Sequence, residues 1–128
     1  MVLDTSAVVA ILEGEPERDR FAELIADEPD PVISAATLVE SRLVMHSKRG
    51  PEGAKALDDL LRAGGVRVIA FNEAQADLAH AAWAEFGKGR HPAGLNLGDC
   101  FSYALAKALD RPLLYKGDDF AQATEKWP

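Results

Sequence analysis

Short apolar runs, each too brief to be a helix, recur along this chain at Met1–Leu3, Val32-Ile33, Val66–Phe71 and Pro112–Tyr115. Between them lie longer stretches whose apolar residues fall at helical spacing. Strand-sized and helix-sized segments in alternation leave few architectures open. The simplest is an α/β fold with a mainly parallel central sheet, helices on both faces and right-handed crossovers. In such sheets ligands bind outside the carboxyl ends of the strands, where the strand order reverses. The residues that directly follow each strand are therefore the ones to weigh for function.

The helical stretches begin with Ser6–Leu12, then a segment entered at Pro16 with Phe21, Leu24 and Ile25 as a buried stripe. Ala36–His46 follows, and Pro51 opens a helix that turns Leu57, Leu60 and Leu61 inward and closes at Gly64-Gly65. Glu73–Phe86 carries Leu78, Ala82 and Trp83, and Asp99–Leu109 precedes the last strand. Val66–Phe71 has the strongest strand character, Lys88–Gly98 is the longest loop, and a final turn or two is expected over Asp119–Thr124. With 128 residues, 48% of them hydrophobic, the chain reads as a single domain over residues 1–128. The lone Cys100 has no disulfide partner, and no Cys/His spacing suits zinc. Met1-Val2-Leu3-Asp4 lacks the basic start of a signal peptide, and no apolar run approaches the ~18–20 residues of a membrane span. A cytoplasmic protein without a membrane partner is the expectation.

The acids are the informative residues. Asp4 follows the first strand, where it either caps the next helix or serves a site. Glu40 has Ala36, Leu43 and Val44 at helical neighbour positions, which predicts a buried or half-buried carboxylate. Such a group must be protonated, paired in a salt bridge or bound to a metal. Asp99 stands at a helix start, where capping is again the alternative, and Asp118 follows the last strand in a Gly-Asp turn with Asp119 beside it. Collected at one end of a parallel sheet, four carboxylates would repel, and a hard divalent cation with oxygen ligands relieves that. Mg²⁺ or Mn²⁺ fits this donor set, and zinc does not. The net charge of −7 argues against a basic nucleic-acid footprint over the whole surface.

Four segments carry a resemblance: Val2-Leu3-Asp4-Thr5-Ser6-Ala7, Ser34-Ala35-Ala36-Thr37-Leu38-Val39-Glu40, Leu97-Gly98-Asp99-Cys100-Phe101-Ser102-Tyr103-Ala104, and Leu114-Tyr115-Lys116-Gly117-Asp118-Asp119-Phe120. In their order and spacing they resemble the PIN domains of VapC-type toxins, over residues 2 to about 120. The resemblance implies a Mg²⁺-dependent endoribonuclease, an RNA substrate, a homodimer, and a VapB-type antitoxin that blocks the site. It implies Asp4, Glu40, Asp99 and Asp118 as the catalytic acids, with Asp4, Asp99 and Asp118 holding metal and Glu40 orienting water. Thr5 or Ser6 would add a hydroxyl near the metal. Asp118 is favoured over Asp119 because it is nearer the strand. The tail Ala123-Thr124-Glu125-Lys126-Trp127-Pro128 departs from the Thr-Asp-Ile ending of close relatives.

Lys48, Arg49, Lys88, Arg90, His91 and Lys116 are candidate phosphate contacts, with Lys116 and Arg90 foremost, while His46 and His80 read as structural or exposed. The helices around Phe21, Leu24, Leu57 and Leu61 are a candidate groove for an amphipathic partner segment. Two other readings stand beside this one. A non-catalytic PIN-like module would bind a regulator. A haloacid-dehalogenase-type phosphatase would want a second Asp two residues after Asp4, where this chain has Ser6.

Overall fold

The structure, a computed structural model, describes residues 1–89 and 94–117. Its elements run β1 (Val2–Leu3), α1 (Thr5–Leu12), α2 (Arg18–Asp27), β2 (Val32–Ser34), α3 (Ala35–Arg49), α4 (Pro51–Ala63), β3 (Arg67–Ile69), α5 (Glu73–Phe86), α6 (Leu97–Leu109) and β4 (Leu113–Leu114). The strands form one four-stranded sheet in the order β3-β2-β1-β4, and every pairing is parallel. The order reverses at β1, whose two neighbours are β2 and β4. That is the position where an α/β sheet opens a crevice at its carboxyl end.

Alternation along these short strands divides the core in two. Leu3, Ile33 and Leu114 face α1 to α4 and meet Val8, Phe21, Met45 and Leu57. Val2, Val32 and Leu113 face the other way, onto Ala79 of α5 and Cys100, Ala104 and Leu105 of α6. Helices therefore cover both faces, as the segment alternation predicts.

Four expectations are corrected. Val66–Phe71, the segment with the strongest strand character, contributes only Arg67–Ile69, and Val68 is 46% exposed. β3 is an edge strand, so its hydrophobicity is not matched by burial. The second helix starts at Arg18 rather than at Pro16, and its buried stripe is Phe21 and Ile25, with Leu24 exposed. The proposed groove fails for a related reason: Phe21, Leu57 and Leu61 are core residues. The sixth helix starts at Leu97, because Asn96 is its cap rather than Asp99. The turn expected over Asp119–Thr124 lies outside the described residues.

The amino end of the sheet is cross-linked by charge. Asp30, just before β2, accepts from Arg67 at 2.8 and 3.2 Å and from Arg111 at 3.0 Å. Those two guanidinium groups pull its carboxyl down to about 2. The amino group of Met1 pairs with Glu28 at 3.3 Å. Among the described residues no helix is long and apolar enough to cross a membrane.

Candidate active site

Asp4 leaves β1 at the carboxyl end of the sheet and is 3% exposed. It is a helix cap, as one reading of the sequence holds: Oδ2 accepts the Ser6 N–H at 3.0 Å and the Ser6 hydroxyl at 2.6 Å. Its Oδ1 accepts the Ser102 hydroxyl of α6, also at 2.6 Å. No Lys or Arg among the described residues forms an ion pair with it. Burial pushes the carboxyl up, and the hydroxyls of Ser102 and Ser6 work against that rise.

Glu40 lies on α3 and is half-buried. The salt bridge that the sequence left open is not found: among the described residues no cation pairs with it, and Arg42 binds Asp58 instead. Its Oε1 accepts the Thr5 hydroxyl, which in turn lies 3.0 Å from the Ser41 hydroxyl. Of its helical neighbours, Ala36 and Val44 are half-buried and Leu43 is 66% exposed. On the other side α6 approaches closely, so that a Cβ built on Gly98 would fall inside the Glu40 carboxyl group. Burial raises the Glu40 carboxyl, the Thr5 hydroxyl opposes this, and the nearby charge of Asp4 adds to the rise.

Asp99 follows Gly98 and is also buried. It is the N3 residue of a reciprocal capping box, its Oδ2 accepting the Asn96 N–H at 3.1 Å while its own N–H donates to Asn96 at 2.9 Å. The structure thus brings Asp4, Glu40 and the start of α6 to one place at the carboxyl end of the sheet. Asp118 and Asp119 lie outside the described residues. Among the described residues no three Asp, Glu, His or Cys side chains stand close enough to share an ion. The donor chemistry still fits a divalent cation. All the groups are hard oxygens. Burial raises both Asp4 and Glu40, the charge of Asp4 adds to the rise of Glu40, and no ion pair to either is found among the described residues.

The candidate supporting residues fall into two groups. Thr5 and Ser6 each donate a hydroxyl hydrogen to a carboxylate. Lys116 does not present its ammonium to the site: it pairs with Glu15 at 2.7 Å and Glu17 at 3.3 Å. Its backbone N–H donates to the Ser6 hydroxyl at 2.9 Å. Arg49 is taken by Glu13 at 2.9 Å, and Lys48, Lys88, His46 and His80 are exposed. Arg90 and His91 lie outside the described residues. Ser102, Thr37 and Ser41 went unnoticed in the sequence. Their signal was a hydroxyl at a buried position of a helix, since all three have no exposed surface.

Comparison with known proteins bears on this geometry. The family model described as the PIN domain matches residues 1–126. A protein of Mycolicibacterium smegmatis named Ribonuclease VapC is 48% identical over 120 residues, covering 94% of this chain and 93% of its own length. Ribonuclease VapC30 of Mycobacterium tuberculosis is 47% identical over 120 residues, covering 94% of this chain and 92% of its own length. Among solved structures, Mycobacterium tuberculosis VapC20, described as a sarcin-ricin loop cleaving toxin, superposes with a TM-score of 0.72 at 23% identity. That match covers 95% of this chain and 93% of VapC20. VapBC2 of Rickettsia felis, solved bound to a DNA fragment from its promoter, gives 0.72 at 18% identity and covers 94% of this chain and 90% of that one. These two likenesses speak to the fold alone.

Proposed function

Because the chain belongs to the PIN-domain family, we propose that it is a divalent-metal-dependent endoribonuclease of the VapC type, acting as the toxin of a toxin–antitoxin pair. One PIN domain over the whole chain carries the activity, and the protein works in the cytoplasm. The observation that supports this most is the pairing of Asp4 and Glu40. These are two buried or half-buried carboxylates, the charge of Asp4 raising Glu40, gathered at the carboxyl end of a parallel sheet with no ion-pair partner among the described residues. It occurs in a chain 48% identical to a protein named a ribonuclease.

In this reading Asp4, Asp99 and Asp118 hold Mg²⁺, with Mn²⁺ as a substitute. When bound, the ion lowers the pKa of a water molecule and polarises a phosphate oxygen. The residues supply the rest. Ser6 and Ser102 fix the two oxygens of Asp4 in the plane their hydrogen bonds define. Thr5 holds Oε1 of Glu40, and Oε2 accepts no hydrogen bond among the described residues. That oxygen is the one to take a proton from the attacking water. In-line attack on the phosphodiester leaves a 5′-phosphate and a 3′-hydroxyl.

The cognate partner is a VapB-type antitoxin. An Arg or Lys side chain placed among these carboxylates would satisfy them as the cation does and so block the site. The exposed apolar side chains of Val39, Leu43 and Leu97 support a homodimer. The test is cleavage of total RNA by the purified protein with Mg²⁺, with excess chelator, and after Asp4→Asn. Cleavage with Mg²⁺ alone is expected. Cutting that survives both the chelator and the substitution would sink the reading.

A further inference from the structure

Behind the carboxylates the structure contains two hydroxyl chains, and one of them does not touch the opening at all. Thr37 on α3 and Ser102 on α6 have no exposed surface, and their hydroxyl oxygens are 3.2 Å apart. Ser102 has a single hydroxyl hydrogen, and it is directed to Asp4 Oδ1 at 2.6 Å. The Thr37 contact can therefore be a hydrogen bond only if Thr37 donates. The direction is fixed as Thr37 to Ser102 to Asp4. The second chain has the same logic. Thr5 gives its hydrogen to Glu40, so Ser41 donates to Thr5.

Helical spacing gives the first chain its leverage. Thr37 lies three residues before Glu40 on α3, and Ser102 lies three residues after Asp99 on α6. One buried contact thus ties the helix that carries Glu40 to the helix that carries Asp99, and both to Asp4. We infer that Ser102 and Thr37 are positioning residues of the active site: the Thr37–Ser102–Asp4 chain sets the register of the three carboxylates and orients Asp4 Oδ1 toward a divalent cation. The inference rests on the metal-dependent reading above. Hydroxyls suit this task because they order a carboxylate without cancelling its charge, which an Arg or Lys in the same place would do. Polarisation along the chain strengthens the terminal bond.

The experiment measures Mn²⁺ binding to the RNA-free protein by electron paramagnetic resonance, beside cleavage kinetics and a melting curve. The variants are Ser102→Ala, Thr37→Val, Thr37→Ser, the Ala/Val double variant and Asp4→Asn. Loss of the bond to Asp4 in Ser102→Ala is expected to weaken Mn²⁺ binding about tenfold and to lower kcat about as much, with KM for RNA unchanged. Thr37→Val is expected to weaken binding about threefold, by removing only the outer link of the chain. Thr37→Ser restores wild-type binding, and the double variant is no worse than Ser102→Ala, since the residues act in series. A folded Ser102→Ala or Thr37→Val that binds Mn²⁺ as the wild type does, while Asp4→Asn has lost it, overturns the inference. So does a wild type that binds no Mn²⁺ through Asp4. A wild type that binds Mn²⁺ and cuts no RNA faults the proposed activity instead.

Discussion

Asp30 and Asp4 flank the same sheet and have opposite fates. Asp30, at the amino end, is gripped by Arg67 and Arg111, and its carboxyl falls to about 2. Asp4, at the carboxyl end, is bound by hydroxyls and an N–H, and burial raises its carboxyl. The first arrangement satisfies a carboxylate with cations the chain itself supplies. The second orders a carboxylate and leaves its charge in place. This chain has cations to spare for exposed pairs such as Arg42–Asp58 and Lys55–Asp59. Among the described residues none of these cations pairs with Asp4 or Glu40, which is a matter of placement and not of supply. Among the described residues, that end of the sheet holds raised carboxylates without a compensating ion pair.

The comparison can be broken most sharply at Asp4. Asp4→Asn keeps an acceptor for Ser6, and the Ser102 hydroxyl can reverse to accept from the new amide, so the fold should survive. RNA cleavage should fall by at least about a hundredfold, the upper range for disturbing even the outer partners of a metal site. Cleavage within threefold of wild type would place the chemistry elsewhere. Gly98→Ala comes next. The new methyl group would occupy the space of the Glu40 carboxyl, so that side chain must swing away. Activity should drop about tenfold or more with little loss of stability, since the displaced atoms are the far end of a flexible side chain. An active Gly98→Ala protein with an unchanged melting curve would show that Glu40 need not lie against α6.

The two ends also predict opposite pH slopes in metal-free protein. A raised carboxyl favours folding below its ordinary range, and this contribution is lost as pH rises through the raised value. The melting temperature should therefore fall as pH rises from the ordinary carboxylate range toward neutrality. Glu40→Gln should flatten that fall, and Mg²⁺ should reverse it by binding only the folded form. A wild-type curve that is flat in this range, with and without Mg²⁺, would contradict the raised carboxylates at that end of the sheet. Asp30 behaves in the opposite sense, contributing above its ordinary value of 3.8 and losing that contribution as pH falls through about 2. Asp30→Asn should lower the melting temperature at neutral pH by a few degrees at most, because exposed pairs contribute little. Its cleavage rate should match wild type, and a loss of cleavage there would undo the contrast between the ends.

The sequence made one end of this comparison legible and hid the other. Acids placed directly after strand-sized runs identified Asp4, and helical spacing identified Glu40 as a half-buried carboxylate. Of its helical neighbours Ala36 and Val44 are half-buried and Leu43 is exposed, and Thr5 and the bare backbone at Gly98 complete its surroundings. Contact between α3 and α6 is a tertiary fact, and no local pattern encodes it. Asp99 was legible as a residue at a helix start, but its partner Asn96 was passed over, which misplaced the cap. The buried hydroxyls of Thr37, Ser41 and Ser102 looked like ordinary helix residues, because Ser and Thr tolerate either side of a helix. Lys116 misled in the other direction: its charge suggested phosphate, yet Glu15 and Glu17 take it, and its contribution is the backbone N–H to Ser6.

That last bond has a consequence for the order of synthesis. Ser6 and Lys116 are 110 positions apart, and the β1–β4 pairing beside them joins residues nearly as distant. At about 5–20 residues per second, translation reaches Lys116 roughly 5–20 seconds after it has passed Ser6. For most of that interval Asp4 has its local cap but neither β4 beside it nor the Ser102 hydroxyl, which arrives almost as late. The nascent chain is unable to assemble the proposed cleaving centre while most of it is being made. For an enzyme aimed at RNA and born on a ribosome, this topology acts as a built-in delay.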